Sequence, residues 1–198
     1  MKIFDKWETE GLKTTDPGLK RYICLKPLLV PRTGGRNTKI QFHRSTKTHI
    51  IERLMNKLMV PGHIKKHKHK RSSGHCTGKS TKVYQVVQDA FNKIEKQTNK
   101  NPVEVFLKAL ENAAPREEIN TIEYGGARYP QPVECSPQRR IDLSLRFMIW
   151  GAYSKSFKTN KKIADCLANE ILAAYKLDIK SNAISKKIEL ERQADASR

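Results

Sequence analysis

The chain reads as a mainly α protein: a single domain of about six helices with a protruding two-stranded β-hairpin, preceded by a basic N-terminal extension. Three observations predict this. Apolar residues recur at helical spacing through most of the chain after residue 45. Adjacent glycines, Gly125 and Gly126, stand between short strand-like runs. Residues 1–44 contain Pro17, Pro27 and Pro31 and the loop Pro31-Arg32-Thr33-Gly34-Gly35-Arg36, with no sustained periodicity. We therefore expect 1–44 to be an extension lying along a partner and 45–198 to be the domain, with a basic loop insertion over 61–82 and a hairpin arm over 116–135.

Ile50, Ile51, Leu54, Met55 and Leu58 mark a first amphipathic helix over about 46–59, with Arg53, Asn56 and Lys57 on the opposite, basic side. Residues 61–82 follow with Pro-Gly, seven Lys/Arg, four His and no acid, a composition that predicts a solvated loop in the unbound chain. Val83, Val87, Ala90, Phe91 and Ile94 resume the helical pattern. Asn101 as N-cap, Pro102 at the first helical position and Glu104 three residues after the cap start a third helix, carrying Phe106, Leu107 and Leu110.

Pro115 closes that helix and the hairpin comes next. Gly125 and Gly126 supply the positive φ angles of a two-residue turn. Pro130 and Pro132 lack an N–H, which keeps their strand out of a sheet interior. Ser136 is placed to cap the next helix and Pro137 to open it, with Arg139 and Arg140 in its first two turns. This helix is apolar around much of its circumference (Ile141, Leu145, Met148, Ile149, Ala152 on one side; Leu143, Phe147, Trp150 on another), so it should run through the middle of the domain. Ile163, Leu167, Ile171 and Ala174 mark a fifth helix; Ser181 caps a sixth that carries Ile184 and Ile188.

Charge narrows the function. The 198 residues carry a formal net charge of +19. Residues 1–100 hold 23 Lys/Arg against 7 Asp/Glu, and the remainder 16 against 13. Self-repulsion on that scale opposes compaction, so a polyanion is the natural counterpart. Four cysteines with no Cys-x-x-Cys pair disfavour a disulfide scaffold and a zinc ribbon; Cys166 falls on an apolar stripe and should be buried. No run approaches bilayer-spanning length, and the start has no signal-peptide core, so a cytoplasmic protein without membrane attachment is expected.

Gly74-His75-Cys76-Thr77-Gly78-Lys79-Ser80 imitates a nucleotide-binding loop, but it has three residues between its glycines where four are needed, and it follows a basic run instead of a hydrophobic strand. His63, His67, His69, His75 and Cys76 match no common zinc spacing and lie among lysines that repel a dication. No residue set points to a nucleophile–base pair or to paired carboxylates, so neither catalysis, nor a metal, nor a cofactor is expected. The basic residues do converge: an acid-free loop with Lys65, Lys66, Lys68, Lys70, Arg71, Lys79 and Lys82, a helix bearing Arg53 and Lys57, and a hairpin flanked by arginines. Guanidinium forks grip phosphates, and Tyr124 and Tyr129 could stack on exposed bases, which favours RNA.

Several stretches then match a known pattern: Gly125-Gly126-Ala127-Arg128-Tyr129, Pro132-Val133-Glu134, Pro137-Gln138-Arg139-Arg140 and Leu143-Ser144-Leu145-Arg146, supported by Leu54-Met55-Asn56-Lys57-Leu58-Met59, Phe106-Leu107-Lys108-Ala109-Leu110-Glu111-Asn112 and Leu167-Ala168-Asn169-Glu170. In these the chain resembles the ribosomal protein S-seven family, the seventh protein of the small ribosomal subunit. The extension and the basic loop are similar to its archaeal and eukaryotic branch. The resemblance implies a structural protein that binds the 3′ major (head) domain of small-subunit rRNA and nucleates head assembly. It also implies partners in messenger RNA, exit-site transfer RNA and neighbouring head and platform proteins of the cytoplasmic ribosome. By position it assigns rRNA contacts to Arg53, Lys57, Arg139, Arg140 and Arg146, with the loop cations joining them. Tyr124, Gly125, Gly126, Arg128 and Tyr129 would lie near transfer and messenger RNA. The rival reading is a free regulatory RNA- or DNA-binding protein or RNA chaperone.

Overall fold

The helices stand where apolar periodicity and capping residues predict them. The computed structural model describes residues 2–32, 48–60 and 76–198 in full, and 64–66 and 69–71 as backbone. In chain order the elements are β1 (Lys2–Ile3), β2 (Trp7–Glu8), α1 (Pro17–Lys20), α2 (Ile50–Leu58), β3 (Ile64–Lys66), β4 (His69–Arg71), α3 (Ser80–Thr98), α4 (Pro102–Ala113), β5 (Glu117–Tyr124), β6 (Ala127–Glu134), α5 (Pro137–Ser156), α6 (Ile163–Tyr175) and α7 (Asn182–Ala196). Six helices are the expected ones; α1 is an additional single turn. Among the described residues the strands pair as antiparallel twos, β1 with β2, β3 with β4 and β5 with β6, and a single parallel bridge joins Cys24 to His49. The β3–β4 pairing lies inside the segment expected to be an open loop.

The caps carry their share. Asn101 accepts a hydrogen bond from the Val103 amide at 3.0 Å, with Pro102 opening α4. Ser181 accepts from the Ile184 amide at the start of α7. Ser136 occupies the N-cap of α5 in extended conformation, yet its side chain makes no capping bond, contrary to expectation; Pro137, which has no donor to satisfy, opens the helix nonetheless.

The apolar faces of α2, α3, α4, α5 and α6 meet in one core whose largest fully buried side chains include Phe91, Phe106, Leu54, Met55, Leu110 and Ile141. Truncating either phenylalanine to alanine removes roughly 3–5 kcal/mol. The central position expected for α5 is observed: it packs against α1, α2, α4, α6 and α7. At Gly151 the approach leaves no room for a side chain, since a Cβ there would lie 2.7 Å from the Glu170 carboxyl and 2.8 Å from Asn182 Cβ. Not all acids of the second half lie on the surface. Glu170 is fully buried and accepts hydrogen bonds from Lys155 (2.6 Å), Ser181 (2.9 Å) and the Ala183 amide (3.3 Å), locking α5, α6 and the start of α7 together.

The largest departure concerns the N-terminal segment. Its described part, residues 2–32, packs into the domain, and Ile3, Phe4, Trp7, Leu19 and Ile23 belong to the core. Phe4 and Asp5 both take positive φ, 54° and 60°, in the tight turn between β1 and β2, closed by the Lys6 amide bonding to the Ile3 carbonyl at 3.1 Å. Asp tolerates that conformation, but Phe does not favour it. Burial compensates: the Phe4 ring lies 4.8 Å from Tyr84 and 5.7 Å from Trp7, and Trp7 lies 5.8 Å from Phe91.

Candidate nucleic-acid interface

The hairpin is built as its sequence requires. Gly125 and Gly126 have φ of 57° and 81°, and the register pairs Tyr124 with Ala127 across them. In a two-residue hairpin the pair flanking the turn is hydrogen-bonded and the bonded pairs then alternate. Pro130, opposite Thr121, and Pro132, opposite Ile119, therefore fall at non-bonded positions, where a missing N–H removes nothing from the ladder. Cross-strand partners share a face, so Ile122, Tyr124, Ala127 and Tyr129 form one side of the tip while Glu123 and Arg128 oppose each other on the other. Tyr124 is 80% and Tyr129 55% exposed. Arg128 stands 3.5 Å from Glu123, an exposed pair worth little to stability. From Asn120 onward both strands to the turn are exposed, and five residues at strand rise put the tip about 17 Å beyond the body.

The base of the arm is held by ion pairs. Arg139 reaches across to Glu118 on β5 at 2.5 Å, a hydrogen-bonded pairing that holds its guanidinium pKa above the ordinary value. Arg198 grips Glu117 at 2.5 Å, and the Arg116 amide bonds Glu191 of α7 at 3.1 Å. Cys135, at the end of the arm, is buried, and burial with help from Glu118 pushes its thiol up to about 11, so it is a poor nucleophile at neutral pH.

Two predicted contact residues turn inward. Arg140 donates to the Pro115 carbonyl (3.1 Å) and to Asp16 (2.9 Å), tying the N-terminal segment to α5. Burial works to raise the Asp16 pKa, but the Gly18 amide and Arg140 outweigh it and hold the carboxyl below its ordinary value. Arg53, expected on an outer basic face, is only 6% exposed and donates to the Tyr22 carbonyl (3.3 Å) and to Asp142 of α5 (3.2 Å). Burial lowers its pKa, opposed by Asp142. Both guanidiniums are consumed by carboxylates and carbonyls within the fold. His49 caps α2 just beside Arg53: Nδ1 accepts from the Ile51 amide at 3.2 Å, and burial drives its pKa down to about 4.

The cations left facing outward are different ones. Arg146, one turn beyond Asp142 on α5, is exposed and makes no ion pair with a described residue. Lys57 is one-third exposed, 3.6 Å from Asp142. Sequence reasoning missed Lys20 and Arg21, which are exposed at the end of α1 next to the Tyr22 carbonyl that Arg53 holds. The signal was legible: Asp16 caps Pro17 and Gly18, so a helical turn presenting Lys20 could have been read there. Lys79 and Lys82 are exposed at the start of α3, and the Gly78 amide bonds the Met59 carbonyl at 3.2 Å, drawing the ends of the basic insertion together. Lys65, Lys66, Lys70, Arg71 and His69 are described as backbone only. Lys68, His63, His67, Gly74 and His75 lie outside the described residues. Cys76 and Cys166 are buried.

No described helix is long and apolar enough to cross a membrane. The described residues thus present an exposed arm bearing Tyr124, Arg128 and Tyr129 on a base held by ion pairs, and several exposed cations elsewhere, of which Lys20, Arg21, Lys79, Lys82 and Arg146 make no ion pair with a described residue. Comparison with known proteins identifies the family. The small ribosomal subunit protein uS7 of Nanoarchaeum equitans is 52% identical over 198 residues, spanning 100% of this chain and 99% of its own length. Its counterpart in Methanothermobacter thermautotrophicus is 48% identical over 192 residues, 97% of this chain and 96% of its own, and that of Methanosphaera stadtmanae 47% identical over 193 residues. The family model described as ribosomal protein S7p/S5e matches residues 19–198, and the chain belongs to that family.

Proposed function

We propose that this protein is a structural, non-catalytic constituent of the cytoplasmic small ribosomal subunit. It binds the 3′ major domain of the small-subunit rRNA, nucleates assembly of the head, and contacts neighbouring head and platform proteins. Its hairpin tip lies beside messenger RNA and exit-site transfer RNA. The observation that carries this reading is the arm itself. A ribbon exposed on both faces and tipped with Tyr124, Arg128 and Tyr129 gains little from its own fold, because an isolated two-stranded ribbon is marginal in water. A stacking and charged partner outside the molecule accounts for it.

The rRNA-facing residues follow from exposure: Arg146 and Lys57, with Lys79, Lys82 and the insertion cations, joined by Lys20 and Arg21. Arg139 contributes from its half-exposed outer edge, whereas Arg53 and Arg140 shape this surface from within. Cofractionation tests the reading. A washed small subunit should retain the protein in stoichiometric amount; recovery only in the ribosome-free fraction would favour a free regulatory nucleic-acid binder.

A further inference from the structure

From Leu143 to Ala164 the sequence carries five Lys/Arg and no Asp or Glu. Arg146 belongs to the surface already described. Lys155 is answered by Glu170 at 2.6 Å and by the Lys180 carbonyl at 3.0 Å. The other three, Lys158, Lys161 and Lys162, lie exposed in the connection between α5 and α6 and make no ion pair with a described residue. We propose that this connection is a second phosphate-binding surface, gripping the backbone of an RNA segment distinct from the one met by Arg146 and the base of the hairpin. The proposal rests on the ribosomal reading above.

The fold places these cations where it does not favour them. Lys162 is the N-cap of α6, at the positive end of the helix dipole, and supplies no capping bond. The acid of that first turn, Asp165, is engaged by Lys93 of α3. Glu170 is buried and engaged by Lys155 and Ser181. Lys158 holds a φ of 56°, a conformation that disfavours any side chain, with its ammonium 5.9 Å from the Phe157 ring. Three like charges in a stretch without Asp or Glu, beside a dipole of the same sign, add repulsion that an external polyanion would relieve.

The geometry also separates this surface from the first. α5 has 20 residues and is therefore about 30 Å long, with Arg139 in its first turn and the lysines just beyond its last. Arg146, the cation of the first surface that lies midway along α5, is ten residues before the helix end, about 15 Å along its axis, so it and the lysines cannot grip the same phosphate. Ammonium groups on irregular backbone act as separate point charges, which suits sequence-independent contact with consecutive phosphates. The protein would then hold RNA at two separate points along α5.

The test uses the full chain and a transcript of the small-subunit rRNA head domain, comparing wild type, Arg146→Gln and the triple variant Lys158→Gln/Lys161→Gln/Lys162→Gln. The triple variant should keep its circular dichroism and bind about tenfold more weakly at fixed salt, with a log–log salt slope shallower by roughly 2. It should lose footprint protection at a segment that Arg146→Gln still protects. The single Lys161→Gln change should shift the slope by about a third as much. Wild-type affinity and slope in the triple variant would overturn the proposal and leave the ribosomal reading standing, as would loss only of an acidic protein neighbour. A wild-type protein that protects no head RNA would sink both.

Discussion

Beyond Asn120 the hairpin meets water on both faces and its charged pair, Glu123 with Arg128, is open to solvent. At the seam where the N-terminal segment, α2 and α5 meet, arginines of the same kind are enclosed: Arg53 between Tyr22 and Asp142, Arg140 between Pro115 and Asp16. One region engages its cations within the fold, and the other leaves its own open to solvent. An arginine in a nucleic-acid-binding family is thus not by itself a nucleic-acid contact; what it already touches decides.

If that contrast is right, changes at the seam should be read in stability and changes on the arm in binding. The largest effect concerns pH. His49 has a folded pKa of about 4 against an ordinary value of 6.5, so between these values the unfolded chain binds the extra proton. Stability from this source is present above pH 6.5 and falls as pH drops toward 4, by up to about 3 kcal/mol. Denaturant melts at pH 7 and pH 4 should show that loss. His49→Asn, which keeps a capping acceptor, should remove most of the slope; an unchanged slope would show that another group carries it.

Next comes Arg53→Ala, which leaves the Tyr22 carbonyl and Asp142 without their shared donor. A loss of about 2 kcal/mol is expected, below the full cost of breaking a buried pair because Asp142 is one-third exposed. Arg140→Ala should cost about 1 kcal/mol and raise amide exchange in residues 15–22 before the rest of the chain. Asp16, whose carboxyl is held below its ordinary value, contributes in the same direction: its stabilisation is present above the unfolded carboxyl pKa and is lost as pH falls through the folded one. The smallest stability effect belongs to the arm. Tyr124→Ala, Arg128→Ala and Tyr129→Ala together should change the melting free energy by less than about 0.5 kcal/mol while weakening transfer-RNA contact in reconstituted subunits. A large loss of stability there would erase the contrast.

Much of this was legible in the sequence because its causes are local. Asn101-Pro102 and Ser181 announce helices α4 and α7 through donors satisfied within three residues, and Gly125-Gly126 specifies a turn that few other pairs permit. The misreadings share the opposite property. Arg53 pairs with a residue 89 positions away, and Arg140 with one 124 away, so no local pattern could have revealed that they are enclosed. Ile3, Phe4 and Trp7 are too few to show a period, yet Ile3 is fully buried and Phe4 and Trp7 complete the aromatic cluster around Phe91. The burial of Glu170 is equally hidden, because Gly151 and Ser181, which make its niche, come from other parts of the chain.

In the proposed function, exposed cations on a braced scaffold bind the head domain of small-subunit rRNA. A backbone footprint of the full small-subunit rRNA, with and without the protein at physiological salt, tests it most directly. The account predicts protections confined to the 3′ major domain that persist in Tyr124→Ala/Arg128→Ala/Tyr129→Ala and weaken in Arg146→Gln. Protections scattered over all domains, or lost with the tip residues alone, would contradict it.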